Sequence, residues 1–415
     1  MALTVRRARA VRPARDGQRL TITEDATIVV EGGRIVSIEP NGDVPAGSQV
    51  LDAGGRLLTP GLVDCHTHAH FLGDRAAEFC ARAAGATYLE LAKRGGGIRA
   101  TVTATRGGAS VDRVSTLRTR LQRLAIHGVT TVEVKTGYGL SAAHELAFLA
   151  EIRSAEAPGL PRVTPTLLAA HALPPEVQTA SEREAWIRTV AEEIIPEAAR
   201  KSLTSRVDAF VEQTAYRPDE ARTIARAARE HGLSLHLHVD QLSDGGGAAL
   251  AGELGAQAAA HLERTSDAGI VALRAAGTVA VLLPTATLAA GEPGYAPARR
   301  LVDAGVPIAL ATNLNPGTGP TESTALMFFL AALGLKLTPE EILWGATRGG
   351  ALALGARDGG LLEPGVPGDL VLWNAFDLAH LPYHAAVNHV RWVMKEGRVI
   401  VDRSAEADAG CEGAL

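Results

Sequence analysis

Two histidines one residue apart, His66 and His68, close the apolar stretch Gly61-Leu62-Val63-Asp64-Cys65. On a strand, residues two apart point to the same side, so both imidazoles aim at one spot, as a transition metal requires. The pair alone also fits two structural histidines near a strand end. Polar residues recur where later apolar runs stop: Glu133-Val134-Lys135-Thr136-Gly137-Tyr138, Ala170-His171, His236-Leu237-His238-Val239-Asp240, His261-Leu262-Glu263 and Thr312-Asn313-Leu314-Asn315-Pro316-Gly317-Thr318. One histidine at a strand end is unremarkable. Histidines at the same end of four strands each need a partner or a metal, and together they read as a metal site.

The elements that carry these residues alternate. After the His-x-His strand, the pattern predicts strands over Val129–Val134, Arg162–Ala170, Val207–Glu212, Leu233–Val239, Ala256–His261, Thr278–Leu283 and Val306–Ala311. Helical stretches lie between them. Val111 to His127 places Val111, Val114, Leu117, Leu121 and Leu124 at three- and four-residue spacing, with Gly128 as a stop. Ser141 caps another helix, and Pro218 and Gly232 bracket a third. Eight strand–helix units predict an α/β fold, a (β/α)8 TIM-like barrel over residues 60–363, with its chemistry at the C-terminal ends of the strands. A doubly wound sheet is the alternative. No Gly-x-Gly-x-x-Gly follows a strand, so a dinucleotide site has no support.

Both ends of the chain read as β-structure. Ala26–Val30 and Arg34–Ile38 flank the turn Glu31-Gly32-Gly33, and Gly368–Trp373 and Val390–Ile400 are strand-like. Residues 1–59 and 364–403 are therefore expected to form one composite β-sandwich domain. Residues 404–415 are small and polar and are expected to be a disordered tail.

Composition sets the limits. The 415 residues are 46% hydrophobic and 21% charged, an ordinary enzyme balance. The net charge of −5 predicts no nucleic-acid partner. Neither a membrane span nor a secretory signal is apparent, and the three cysteines, Cys65, Cys80 and Cys411, suit a reducing compartment. The expected location is the cytoplasm.

These motifs together resemble the metal-dependent amidohydrolases, and within them the imidazolonepropionase family of histidine degradation. The resemblance rests on Pro60–His68, Gly95–Ile98, Glu133–Leu140, Ala170–Glu176, His238–Asp244, Val281–Pro284, Asn315–Thr318 and Pro382–Val390. It implies a hydrolase of carbon–nitrogen bonds in cyclic amides that opens 4-imidazolone-5-propanoate to N-formimino-L-glutamate. It implies one Zn²⁺ or Fe³⁺ ion, held by His66, His68 and His238 with residue 313, and a water acidified by that ion. His261, Asn313, His171 and Gln241 are the implied catalytic set. Arg75, Tyr88, Tyr138, His171, Gln241, Asn315, Gly317 and Thr318 are implied to bind the anionic imidazolone. A homodimer is implied as well.

The chain departs from the family at two of these places. Asn313 stands where the family has Asp, so the site gains an amide oxygen but neither a charge nor a proton acceptor. Ala260 precedes His261 where the family tends to have Asp. Alternatives to the implied function are another cyclic amidohydrolase, a heterocycle deaminase, or a non-catalytic ligand-binding relative that has lost the acid at 313. Lys135 admits a reading as a carboxylated bridge between two metals, although a single-metal histidine set needs none. His236 is expected to be structural. His70, His127, His144 and His231 are expected at the surface or at helix ends. Cys65 is expected to face away from the site, and Gly95–Gly97 to form a lid or tight turn.

Overall fold

A computed structural model describes residues 2–85 and 96–405 of the chain. Five strands open it: β1 (Leu3–Pro13), β2 (Leu20–Glu31), β3 (Arg34–Pro40), β4 (Gln49–Asp52) and β5 (Leu57–Pro60). Eight follow: β6 (Leu62–Asp64), β7 (Val129–Lys135), β8 (Arg162–Ala170), β9 (Arg206–Val211), β10 (Ser234–Val239), β11 (Ala258–His261), β12 (Val279–Leu282) and β13 (Ile308–Leu310). Three more complete the chain: β14 (Leu370–Trp373), β15 (Val390–Lys395) and β16 (Arg398–Asp402).

β6 to β13 pair in chain order, all parallel, and helices fill the connections. Each strand is apolar on the face that meets its helices, and those helices are amphipathic. The helix over Pro218–Glu230 buries Ala221, Ile224, Ala225 and Ala228 along one stripe, with Pro at its start. The ring closes between the last and first strands. Asn313 N donates to His66 O at 3.1 Å, and His68 N donates to Leu314 O at 2.9 Å. Asp64 reinforces the seam, accepting Thr312 N at 3.1 Å and Thr312 Oγ1 at 2.6 Å. Beneath the seam the backbone of Gly349 and Gly350 lies directly on the strands. A Cβ there would sit 2.0 Å from Ile308 O and 2.5 Å from Val63 O respectively, so only glycine allows the approach.

The terminal strands form one hydrogen-bonded mixed sheet in the order β16-β15-β14-β5-β1-β2-β3, with β4 beside β1. The two ends of the chain meet where β14 pairs antiparallel with β5. Val5, Ile28, Leu58, Leu370 and Met394 pack together as a separate apolar core. The hairpin turn is where the sequence puts it, with Gly32 and Gly33 both at positive φ (56° and 79°). The parallel pairing of β4 with β1 has no local signal, because it joins segments 46 residues apart.

The remaining expectations divide. Ser141 Oγ accepts His144 N, as predicted for a cap. Gly97, at φ 75°, makes a tight turn before the helix Ile98–Gly107, whereas Gly95 lies outside the described residues. Tyr88 and residues 406–415, with the expected tail, lie outside them too. Cys65 packs in an apolar cluster with Ala260, Val281 and Ala311. Among the described residues no helix is long and apolar enough to cross a membrane.

His70 corrects its expectation, because it is fully buried. Its Nε2 lies 2.9 Å from Glu151 Oε2, and Arg113 grips both oxygens of the same carboxylate at 2.8 and 2.7 Å. Burial works against ionising Glu151, but Arg113 and His70 outweigh it and hold the carboxyl down at about 2. The stability from this pairing is full above the ordinary glutamate pKa of about 4.3 and is lost as pH falls through the folded value. Glu151→Gln should therefore melt below the wild type at neutral pH, with a gap that narrows as the pH drops from about 4 towards 2. Melting curves across that range are the check; a pH-independent gap would contradict the ion-pair account.

Candidate active site

The strand ends deliver five polar side chains to one rim. His66 and His68 follow β6, His238 lies on β10, His261 ends β11 and Asn313 follows β13. His66, His238 and His261 bring ring nitrogens mutually within 4.8 Å. His68 adds its Nε2, 3.3 Å from His238 Nε2. The geometric trio thus includes His261, expected in the catalytic set rather than among the metal ligands, and places His68 at its edge.

Two polar atoms at this rim, His66 Nε2 and Asn313 Oδ1, are buried without a hydrogen-bond partner, as are His68 Nδ1 and His261 Nδ1, the latter on the side of Glu263. Orphaned buried acceptors are costly unless something meets them. Burial also keeps three of the imidazoles neutral, their lone pairs free: it lowers His66 and His68 well below the usual histidine range and His238 to about 4. Four imidazoles and one amide oxygen converging in a buried pocket fit a divalent metal ion.

Backbone strain accompanies the convergence. His261 and Leu262 both hold positive φ (79° and 69°), as does Asn313 (54°). Asparagine tolerates this region better than most residues. Leu262 does so much less readily, and a strained strand end of this kind is characteristic of functional sites. Glu263 stands behind His261, its Oε2 3.6 Å from His261 Nδ1, and Thr287 Oγ1 donates to its other oxygen at 2.9 Å.

Beneath the rim, the barrel interior holds charges. Asp208 Oδ1 accepts from His238 Nδ1 at 3.0 Å, which leaves His238 Nε2 bare towards the other imidazoles. Lys135, fully buried, places Nζ 2.5 Å from Glu133 Oε1 and 2.8 Å from Asp208 Oδ2. An ammonium held between two carboxylates is an ion pair, the role this geometry gives Lys135. His236 sits one pleat deeper than His238, buried, with Nε2 unpartnered.

A cavity of about 830 Å³ opens over the imidazoles. His68, Tyr138, His171, Gln241, Asn313 and Thr318 line it, with Arg75 and Arg82 on one wall. His171 Nδ1 faces Gly137 O at 3.1 Å; a carbonyl only accepts, so Nδ1 carries the proton and Nε2 is an acceptor. His171 stacks on His68, ring centres 4.7 Å apart. Tyr138 is held by a loop whose Gly137, Gly139 and Leu140 amides all donate to buried Glu145. Burial pushes the Tyr138 hydroxyl up, so it stays a neutral donor.

Arg75 is brought to the cavity but is already engaged. Nε and Nη2 both donate to Glu78 Oε2, at 2.9 and 2.7 Å, and Nη1 lies so close to Gly317 that a Cβ there would sit 2.2 Å from it. Asn315 is a loop organiser. Its Oδ1 accepts the Gly317 and Thr318 amides, both at 2.8 Å, and its Nδ2 donates to Asn313 O at 2.7 Å. It sets the backbone that presents Asn313, and Gly317 serves by giving Arg75 room. Sequence reasoning missed Arg82, Glu78, Asp208 and Glu145. Asp208 alone had a signal, a carboxylate inside the apolar strand Val207-Asp208-Ala209-Phe210-Val211.

Comparison with known proteins places this geometry. Residues 57–400 match the model of the amidohydrolase family. An imidazolonepropionase of Anaeromyxobacter dehalogenans (strain 2CP-C) is 46% identical over 393 residues, covering 93% of each chain. That of Myxococcus xanthus (strain DK1622) is 46% identical over 94% of this chain and 93% of the relative, and that of Geobacillus kaustophilus (strain HTA426) 41% over 92% of both. Among solved structures, an atrazine chlorohydrolase from Arthrobacter aurescens TC1 complexed with zinc superposes with a TM-score of 0.73 at 18% identity, over 98% of both chains. A triazine hydrolase variant gives 0.76 at 19%, over 98% of this chain and 99% of its own. At those identities the likeness is one of fold.

Proposed function

This chain belongs to the amidohydrolase family and within it to the imidazolonepropionases, and from that premise we propose that it hydrolyses 4-imidazolone-5-propanoate to N-formimino-L-glutamate, a step of histidine degradation. The observation that carries the reading is the gathering of His66, His238 and His261 ring nitrogens within 4.8 Å of one another, with His68 Nε2 close by and the buried, unpartnered His66 Nε2 and Asn313 Oδ1 among them, beside a cavity that Arg75 and Arg82 help to line.

His66, His68 and His238 would hold one Zn²⁺ or Fe³⁺ ion, with Asn313 Oδ1 beside them. When bound, the ion supplies Lewis acidity at the ring carbonyl and a more acidic water. The remaining work falls to the chain. Arg75, oriented by Glu78 through Nε and Nη2, takes the propionate on its remaining Nη1, and the neutral Tyr138 hydroxyl donates beside it. His171 Nε2, bare because Nδ1 is tied to Gly137 O, accepts from a ring N–H. Gln241 offers its amide to the ring's other polar edge.

In the reaction a water oxygen bonds to the ring carbonyl carbon and the bond from that carbon to the ring nitrogen breaks. The carbon leaves as a carboxylic acid, which ionises to solvent, and the nitrogen as part of the formimino group. The other water proton must travel to the leaving nitrogen. His261 takes it on the nitrogen gathered with His66 and His238, and returns it to the ring. Asn313 cannot share this task, because an amide does not take up a proton near neutral pH.

Three ligands test the reading together: the anionic imidazolone, its neutral analogue lacking the propionate, and an aminopyrimidine. Only the first should be turned over by metal-loaded protein, and equal use of the neutral analogue would contradict the role given to Arg75. Arg75→Lys should raise KM for the anion by the equivalent of about 1–3 kcal/mol, because a point charge replaces a planar fork. Steady-state kinetics measure this, and an unchanged KM would remove Arg75 from the binding site.

A further inference from the structure

Lys135 is fully buried, far from solvent, and the reaction described above does not use it. Its two carboxylate partners lead in different directions. Asp208, at 2.8 Å, holds His238 Nδ1 through its other oxygen at 3.0 Å. Glu133, at 2.5 Å, accepts Thr67 N through Oε2 at 3.2 Å, and its backbone carbonyl accepts Thr67 Oγ1 at 2.6 Å. Thr67 lies between His66 and His68. Lys135 N completes the join by donating to Thr67 O at 3.0 Å. One ammonium on β7 therefore ties together two branches: the His66-Thr67-His68 segment after β6, and His238 on β10.

Charge explains why an ammonium is needed. Two buried carboxylates repel each other and are costly to keep ionised without a cation. Without Lys135, Asp208 would lose the cation that holds its second oxygen in place. A carboxylate free to turn from His238 frees that ring to rotate or to switch tautomer. Partners that fix a ligating imidazole in this way typically contribute about 10–100-fold in metal affinity.

We propose that Lys135 is the positioning residue of the metal centre, an internal cation that holds His238 through Asp208 and the His66–His68 segment through Glu133. The inference rests on the metal-site reading given above. Its role is separate from chemistry, since Nζ is engaged by carboxylates beneath the imidazoles.

The test is zinc affinity, measured by competition with a chromogenic chelator on folded, metal-stripped protein, together with the rise in melting temperature on adding zinc. Lys135→Met should weaken zinc about 10–100-fold and shrink that rise. Asp208→Asn should weaken zinc binding through the His238 branch, and the double variant should lose little more than Lys135→Met alone, since the Asp208 branch is one of the two that Lys135 serves. If Lys135→Met does not fold, Asp208→Asn and Lys135→Arg carry the test: Asp208→Asn leaves Lys135 paired with Glu133 and should weaken zinc, and Lys135→Arg, which keeps the cation, should retain more affinity than Asp208→Asn. A lower melting temperature with zinc affinity within twofold of wild type would overturn the proposal, as would independent, additive losses. Failure of the wild-type protein to bind zinc or iron at all would instead overturn the metal site itself.

Discussion

Asn313→Asp is expected to raise turnover by about 10²–10⁴-fold, the contribution of a well-placed general base. The backbone is ready for the change. Residue 313 sits at φ 54°, a conformation that Asp and Asn both accept, and is fixed by His66 O and the Asn315 amide. Oδ1 is buried and has no partner to lose. The carboxylate would supply a proton acceptor that the chain otherwise draws from His261 alone, and a charge for the ion. The same substitution should destabilise the metal-free protein, because a buried carboxylate without a cation is unfavourable. Added metal should reverse that loss, so the two melting curves are expected to cross on metal addition. Turnover must be compared at matched metal occupancy. An unchanged or lower rate with metal bound would make the amide the working group here.

His238→Ala is expected to abolish turnover and to weaken metal binding by more than the ~10–100-fold typical of losing an outer partner. His238 is central to the imidazole set, lying 4.5 Å from His66, 5.3 Å from His68 and 5.5 Å from His261 between ring centres. Its loss also leaves Asp208 Oδ1 without an acceptor role. His236→Ala is the matched control. That ring is equally buried and carries an unpartnered Nε2, but it sits one pleat deeper and, among the described residues, is not part of the group of histidines whose ring nitrogens gather at one point. Elemental analysis should find about one ion per chain in His236→Ala and a sharply reduced content in His238→Ala. Equal metal content in both would contradict the assignment of His238.

The rim of the barrel was legible because strand periodicity is local. His236 and His238 share a face by strand alternation, whereas His66 and His68, expected on a strand, follow β6, which ends at Asp64. The same logic located the other seven barrel strands to within about two residues of their observed ends. What the sequence withheld was pairing across the interior. Lys135 on β7 meets Asp208 on β9 because the barrel curves, and no spacing along the chain records that meeting. Arg75 was legible as a cation near the site, whereas its partner Glu78 follows only from the turn of one helix. Asn315 looked like a ligand-facing amide, but its hydrogen bonds turn inward to the loop, an arrangement fixed by the local chain path rather than by residue type. His70 looked like a surface residue because Glu151 and Arg113, which make its burial tolerable, are distant in sequence.

The central claim is ring opening of an anionic imidazolone at a metal held by His66, His68 and His238. Incubating zinc- or iron-loaded protein with 4-imidazolone-5-propanoate, and following the product by NMR, tests it most directly. The account predicts conversion to N-formimino-L-glutamate that stops when the metal is stripped and accelerates in Asn313→Asp. Intact substrate in both the wild type and Asn313→Asp, each fully loaded with metal, would contradict it.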